Sequence, residues 1–421
     1  MQSDWRTVTI GDIAEDVAMG PFGSNIPVSC FVPSGIPVIS GRHLHETRLF
    51  EDTFNFVSVE KADQLRRSNV QRGDIVFTHA GTIGQVSLVP ENSKYERYIM
   101  SQRQFKLSVR RTEASPKFLV YYFKSDVGQR ELFKFANQTG VPSLSRPVTN
   151  LRAIPINLPS LSEQEDIANI LGLFDDRIDL LHQTNATLES IAQALFKSWF
   201  IDFDPVRAKA EGRAPEGMNA DMAALFPDSF EDSALGEIPK GWNLVRLSDL
   251  LELLYGKALK ATERCAGSIP VYGSGGVTGF HDVPLVPHGS VIVGRKGTVG
   301  SLYWEDGPFY PIDTTFYVKP KNVPLTYCYY AMQRLGLETM NTDAAVPGLN
   351  RDNAYRLELI RPTEQIMRVF DGLVTSLRDS MSSNSTRVKL LSDIRDALLI
   401  RLISGKLRLP EAEAQLDEAL A

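Results

Sequence analysis

Cysteine is the scarcest residue of this sequence: 421 residues hold only Cys30, Cys265 and Cys328, with no Cys-x-x-Cys among them. Three widely spaced thiols cannot all pair, which excludes a disulfide framework and points to a reducing compartment. Long apolar runs are missing as well. No stretch approaches ~18 uninterrupted apolar residues, so no membrane-spanning helix is expected. The opening MQSDWRTVTI carries neither the basic segment nor the apolar run of a secretory leader. These absences suggest a cytoplasmic protein without a membrane partner.

Catalytic signatures are missing in turn. There is no Gly-x4-Gly-Lys-Ser/Thr phosphate loop, no Gly-x-Ser-x-Gly and no His-Glu-x-x-His. The Asp/Asn-Pro-Pro-Tyr/Phe tetrapeptide with which an amino-methyltransferase holds its target base does not occur either. Gly273 to Gly279 is glycine-rich, but a proline-containing segment follows it where a dinucleotide pyrophosphate would need a helix N-terminus. The six histidines are scattered, and the close pair His43 and His45 has no carboxylate or thiol at ligand spacing. Surface roles are expected for them, and no metal site. What remains is a binding chain.

What is present looks globular: 43% hydrophobic and 23% charged residues, with 45 basic against 51 acidic side chains, net -6. The length suits two or three domains. The sequence is also written twice. Gly73-Asp-Ile-Val-Phe-Thr-His-Ala-Gly-Thr-Ile-Gly84 matches Gly289-Ser-Val-Ile-Val-Gly-Arg-Lys-Gly-Thr-Val-Gly300 without a gap. Around it, IPVIS from Ile36 pairs with IPVYG from Ile269, and Tyr121-Tyr122 with Tyr329-Tyr330. VPSLSR from Val141 pairs with VPGLNR from Val346, and Glu163-Gln164 with Glu364-Gln365. The separation between partners shrinks through the globular part and then stays nearly flat, as loop deletions followed by one continuous element would produce.

That element is a long helix in each copy. Apolar residues recur in steps of three and four at Ile167, Ile170, Phe174, Ile178, Leu181, Leu188, Ile191, Leu195 and Trp199, with Asn185 interrupting. Ser162 and Glu165 suggest a capping box at the start. The second seam runs through Ile366, Phe370, Leu373, Leu377, Val388, Leu391, Ile394, Leu398 and Leu402, broken by Ser380 and Asn384. A helix of this length outreaches a domain of ~120–150 residues, so the two seams are expected to pair with each other, antiparallel if a pseudo-twofold axis relates the copies. Asn185 and Asn384 would then fix the register.

The expected organisation is α+β: a mixed, strand-rich domain at 1–160, a helix at 161–203, an extended linker at 204–240, a second domain at 241–361, a helix at 362–409 and an acidic tail at 410–421. Charge follows this division. The two globular parts carry net +4 and +1, whereas the first helix carries -6 and the linker -4. Basic groups cluster beside turns: Arg42-His43, Arg66-Arg67, Arg72, Arg103 and Arg110-Arg111 in the first copy, Lys257, Lys260, Arg295-Lys296 and Arg351 in the second. Arg146 and Arg351 hold equivalent places in the VPSLSR and VPGLNR loops, where holding the loop and contacting a phosphate weigh equally.

These features resemble the specificity (S) subunit of bacterial and archaeal type I restriction-modification systems. The resemblance spans Trp5 to about Leu409. It rests on the glycine block in both copies, VPSLSR followed by LPSLSEQEDI, ALFKSWFIDFDPVRAKAEG from Ala194, and LLIRLISGKLRL near the end. It implies two pseudo-symmetric mixed α/β target recognition domains joined by two long antiparallel coiled-coil helices, each domain reading half of a split double-stranded DNA target. Two methyltransferase (M) subunits and nuclease/translocase (R) subunits would be partners. S-adenosylmethionine, ATP and Mg would serve those partners, with no cofactor in this chain. Candidate DNA contacts are Arg42, His43, His79, Arg103 and Arg146 in the first copy, and Arg295, Lys296 and Arg351 in the second. Candidate coiled-coil and subunit-interface residues are Ile167, Phe174, Ile178, Leu188, Ile191, Leu195, Phe370, Leu373, Leu391, Ile394 and Leu398. A protein-interaction scaffold without DNA binding, built on the acidic helices and linker, is the alternative; a hidden nuclease or methyltransferase is disfavoured by the missing motifs.

Overall fold

The runs Ile75-Val76-Phe77 and Val291-Ile292-Val293 are buried on both faces, which is why each reads as an unbroken apolar triplet. In the computed structural model, which describes residues 5–137, 140–234, 236–341, 348–407 and 409–411, each triplet lies in an inner strand of a four-stranded antiparallel sheet. Two compact units contain these sheets: residues 1–180 with 387–421, and residues 181–386.

The units match strand for strand. The first has the order Ala14–Met19, Gln104–Val109, Ile75–Thr78, Val86–Leu88. The second has Leu251–Tyr255, Thr315–Pro320, Ser290–Gly294, Leu302–Glu305. Arg6–Thr9 pairs antiparallel with Pro155–Leu158, as Asn243–Arg246 does with Glu358–Arg361. Ile36–Ile39 runs parallel to Arg97–Met100, as Ile269–Gly273 does to Tyr310–Pro311. The sheet containing that parallel pair has five strands in the first unit and three in the second. Asn55–Val57, the helix Val59–Gln64 and Asn69–Gln71 fill the first unit between the repeated segments. The second copy is shortened there.

Both glycine blocks use glycine for its backbone. Gly81 and Gly297 take φ of 88° and 86°, and Gly84 and Gly300 take 87° and 71°, a region that side chains with a Cβ disfavour. At Gly300 a Cβ would also lie 2.2 Å from the Leu337 carbonyl carbon.

The long helices run from Leu161 to Phe200 and from Glu364 to Ile403, 40 residues each. The cap of the first is Ser160, whose Oγ accepts the Glu163 N–H at 3.2 Å, so the helix starts earlier than a Ser162 cap would place it. Antiparallel pairing is visible in the second unit, where a step forward from Asn185 to Glu189 moves the partner back from Asn384 to Arg378. Asn384 Nδ2 donates to Asn185 Oδ1 at 2.8 Å, Asn185 Nδ2 donates to the Met381 carbonyl at 3.1 Å, and Arg378 pairs with Glu189 at 3.5 Å. The two seam-breaking asparagines satisfy one another, as a register-fixing pair must. In the first unit Arg395 Nη1 meets Asp175 Oδ1 at 2.6 Å.

Seam residues Ile167, Phe174, Ile178, Phe370, Leu391 and Leu398 are buried, and Leu188, Leu195 and Ile394 are half-buried. Two seam residues turn away from the buried face. Ile191 is 48% exposed and Leu373 38%, while their neighbours Ala192 and Val374 are fully buried. The cause is local: Phe196, Trp199, Phe200 and Phe370 belong to an aromatic core with Tyr327, Tyr330 and Trp242, with Phe200 and Phe370 centroids 5.1 Å apart. Docking those large rings sets the helix rotation, and a 3.6-residue helix drifts off a 3.5-residue seam.

The reading of 204–240 as an extended linker fails. It holds helices Asp204–Ala210 and Ala220–Ala224 and the hairpin Phe230–Ser233 with Gly236–Pro239. Val206 and Phe226 are buried in the same aromatic core, and Trp199 and Phe226 centroids lie 5.1 Å apart. A few apolar anchors suffice to fold a segment whose composition reads as loop. Of the acidic tail, 412–421 lie outside the described residues.

Candidate nucleic-acid interface

Each unit builds the same corner from its glycine block. The residue directly after the inner strand is His79 in the first unit and Arg295 in the second. The carbonyls of these residues accept the N–H of Leu144 and Leu349, each at 2.8 Å, from the VPSLSR and VPGLNR loops. Their own N–H groups donate to the carbonyls of Arg103 and Thr314, each at 2.9 Å. Their side chains even reach the same carbonyl, one residue earlier: His79 Nε2 lies 3.1 Å from the Gln102 oxygen, and Arg295 Nη1 donates to the Asp313 oxygen at 2.9 Å. One main-chain frame therefore presents imidazole in one unit and guanidinium in the other.

In the second unit the sequence-expected residues come together. Arg295, Lys296 and Arg351 line one cleft of about 240 Å³ with Tyr255, Gly348, Leu349, Asn350 and Asp352. The Arg295 and Arg351 guanidinium carbons each sit 5.0 Å from the Tyr255 ring centroid. Phe316 lies 5.8 Å from Arg295, and Tyr355 5.7 Å from Arg351. Such cation–π stacking fixes a guanidinium plane while leaving its N–H edge free. Neither arginine has an ion-pair partner among the described residues, and the buried Arg351 Nε has no hydrogen-bond partner among them. The cleft is cationic, rich in donors and open to an acceptor. Tyr255 was missed from sequence; its only signal was an aromatic residue directly before Gly256.

In the first unit the residues are more scattered. Arg103 is exposed beside Gly81, where a Cβ would lie 3.4 Å from its Nη1. Arg146 is exposed with φ of 41°, directly before the helix Pro147–Ala153. Arg42 is exposed and donates to the Thr53 carbonyl. His79 is half-buried, and burial lowers its pKa from the usual 6.5, so the ring is neutral near pH 7. Because a carbonyl only accepts, the contact to Gln102 is a ring N–H donated from Nε2. The first unit presents a neutral ring where the second presents a cation.

His43 needs correction. Its side chain is buried at 1% exposure, stacked on Phe54 at 4.4 Å, and Nδ1 accepts the Ser40 N–H at 2.9 Å. Burial lowers its pKa as well. The ring pins the turn Gly41–His43 and is not displayed to a ligand. An exposed residue that sequence reading missed is Phe22, 83% accessible at the tip of a loop. The loop is tight: a Cβ at Gly20 would lie 2.1 Å from the Ser101 oxygen, and one at Gly23 1.9 Å from Gln102 Oε1. Its signal was the Gly-Pro-Phe-Gly turn.

Two polar clamps join helix to sheet domain. In the first unit Tyr121 donates to Asp175 at 2.7 Å, Arg395 reaches the same carboxylate, and Arg48 pairs with Asp176 at 2.5 Å. In the second, Tyr330 donates to Glu189 at 3.1 Å, and the Arg378 guanidinium lies 3.9 Å from the Trp304 centroid. The repeated Tyr-Tyr pair supplies one tyrosine to each clamp. Cys265, His281 and Asp282 also approach one another, but His281 Nδ1 already accepts the Cys265 N–H at 3.1 Å. The contact locks a turn between residues too far apart in sequence to group by spacing.

A duplicated sheet domain, with an equivalent polar corner in each copy and a pair of long helices, is the architecture of a recognition protein. The sequence profile of the type I restriction modification DNA specificity domain matches residues 2–190 and 239–360, and the chain belongs to that family. The HindI specificity subunit of Haemophilus influenzae is 24% identical, over 96% of this chain and all of that one. The MjaIX specificity subunit of Methanocaldococcus jannaschii is 24% identical over 81% of this chain and 79% of its own length. A crystal structure of the type I S subunit from M. genitalium shares the fold, with TM-score 0.55 and 20% identity over 95% of this chain and 96% of that one. The chain is the noncatalytic DNA specificity subunit of a type I restriction-modification system, and the scaffold alternative is set aside. No helix among the described residues is long and apolar enough to cross a membrane.

Proposed function

We propose that each unit reads one half of a bipartite double-stranded DNA target, with the corner at His79 and the corner at Arg295 as the two reading points. The single observation that supports this is the duplicated frame carrying different side chains: equivalent geometry with altered chemistry suits two half-sites of different sequence. Arg103, Arg146 and Arg42 serve the first half-site, and Arg295, Lys296 and Arg351 the second. Phosphate contacts from the exposed cations set position, and groups at the strand ends read base edges in the major groove.

The long helices dock two methyltransferase subunits; nuclease/translocase subunits join through them. S-adenosylmethionine, ATP and Mg act in those partners, and the assembly works in the cytoplasm. With net charge +4 and +1 on its globular parts, this chain supplies sequence reading while the partners supply much of the grip on DNA. Methylome sequencing with and without this gene, in a host with an active methyltransferase partner, tests the proposal. Loss of one bipartite motif is expected; an unchanged methylome contradicts it.

A further inference from the structure

The second unit's cleft is more specific than a basic patch. An ordinary phosphate-binding arginine is a mobile surface group whose charge does most of its work. Arg295 is held at three points: its backbone by the Thr314 carbonyl, its Nη1 by the Asp313 carbonyl at 2.9 Å, and its guanidinium carbon over Tyr255 at 5.0 Å. Arg351 is brought to the same ring at 5.0 Å, with Nε buried and unpartnered among the described residues. Two guanidinium groups share one aromatic ring with no ion-pair partner among those residues. The arrangement displays fixed, planar donors to a small polar space. Holding a fork in place reduces the entropy lost on binding, which matters most for a directional ligand.

Resting on the reading of this corner as a DNA contact, we propose that the cleft takes the major-groove edge of a guanine, whose O6 and N7 are two adjacent acceptors. Arg295 is the base-reading residue, Arg351 adds a second donor set, and Tyr255 is the positioning residue that aligns both. The half-site read by the second unit then contains an obligatory G·C pair. A cytosine or adenine amino group at that place meets donors facing donors and is rejected. The exposed Lys296 at the rim of the cleft contacts the backbone and carries no sequence preference.

The test uses the chain assembled with its methyltransferase partner and a duplex library in which each position of the wild-type motif is randomised in turn. Methylation rates and salt-dependent binding are measured for Arg295→Gln, Tyr255→Leu, Tyr255→Phe and Lys296→Ala. Arg295→Gln is expected to relax one position, a G·C pair in wild type, with discrimination reduced roughly 10- to 100-fold. Tyr255→Leu should relax the same position, and Tyr255→Phe, which keeps the aromatic face, should retain it. Tyr255 is 48% exposed, so neither change threatens the fold. Lys296→Ala should weaken all sequences alike and lower the salt slope by about one.

The proposal is overturned if Arg295→Gln weakens every sequence equally and lowers the salt slope, which is phosphate behaviour, or if the relaxed position is an A·T pair. In both cases a bipartite motif survives and the broader reading stands. Absence of any bipartite motif in wild type would instead remove the proposed function itself.

Discussion

His79 and Arg295 occupy the same place in two copies of one frame, with the same backbone partners and the same reach to a carbonyl. The first is a ring that burial keeps neutral near pH 7; the second is a fixed cation with donors. The comparison shows where this fold holds its structure and where it varies its chemistry. Structure lies in positive-φ glycines and main-chain hydrogen bonds, which tolerate any side chain at the strand end. On the proposed reading, recognition lies in that side chain.

The comparison breaks most severely if the helices cannot pair. Leu391→Asp with Leu398→Asp buries charge at positions 5% and 2% exposed. A loss of more than about 4 kcal/mol is expected, read as failure to co-purify with the methyltransferase partner while circular dichroism shows the sheet domains still folded. Normal assembly would show that these leucines do not hold the helix pair.

A milder break is Asn384→Ala, which removes one partner of the central pair and leaves Asn185 with its bonds to Met381 and Ser385. A loss of about 1–3 kcal/mol is expected, measured by denaturant unfolding. Replacing both asparagines by leucine should recover stability but loosen register, seen as a spread of distances between spin labels on the two helices.

Exchanging the strand-end residues sharpens the comparison. His79→Arg should change base preference in the first half-site alone, by roughly tenfold at one position, measured by methylation of a randomised library. Phe22→Ala should leave stability within about 0.5 kcal/mol because the ring is exposed. A change in first-half-site affinity from that variant would make the loop part of the interface.

The smallest effect is one of pH. Burial depresses the pKa values of both His43 and His79 below 6.5. The unfolded chain then takes up protons more readily than the folded one. The first unit's stability should be flat above about pH 6.5 and fall as acid is added below it. His43→Gln should reduce that slope in a thermal-unfolding series.

Much of this was legible in sequence because duplication makes weak signals agree. Asn185 and Asn384 each looked like a flaw in an apolar seam, and their pairing at 2.8 Å follows once the seams face each other. The glycine blocks announced their turns because only glycine meets the φ requirement at low cost. Tyr255 was not legible, since its meeting with Arg295 and Arg351 depends on strand register across three distant segments. Ile191 and Leu373 lie off the buried face because a seam count cannot see the aromatic core that turns each helix. His43 was misread because charge-type clusters carry no information on burial, and residues 204–240 because composition hides single anchors such as Phe226.

The central claim is that the two corners read different halves of one target. Methylome sequencing of a strain carrying His79→Ala, beside one carrying Arg295→Gln, tests it directly. The account predicts that the first alters or relaxes only one half of the bipartite motif and the second only the other. A single substitution that changes both halves, or two substitutions that change the same half, would contradict it.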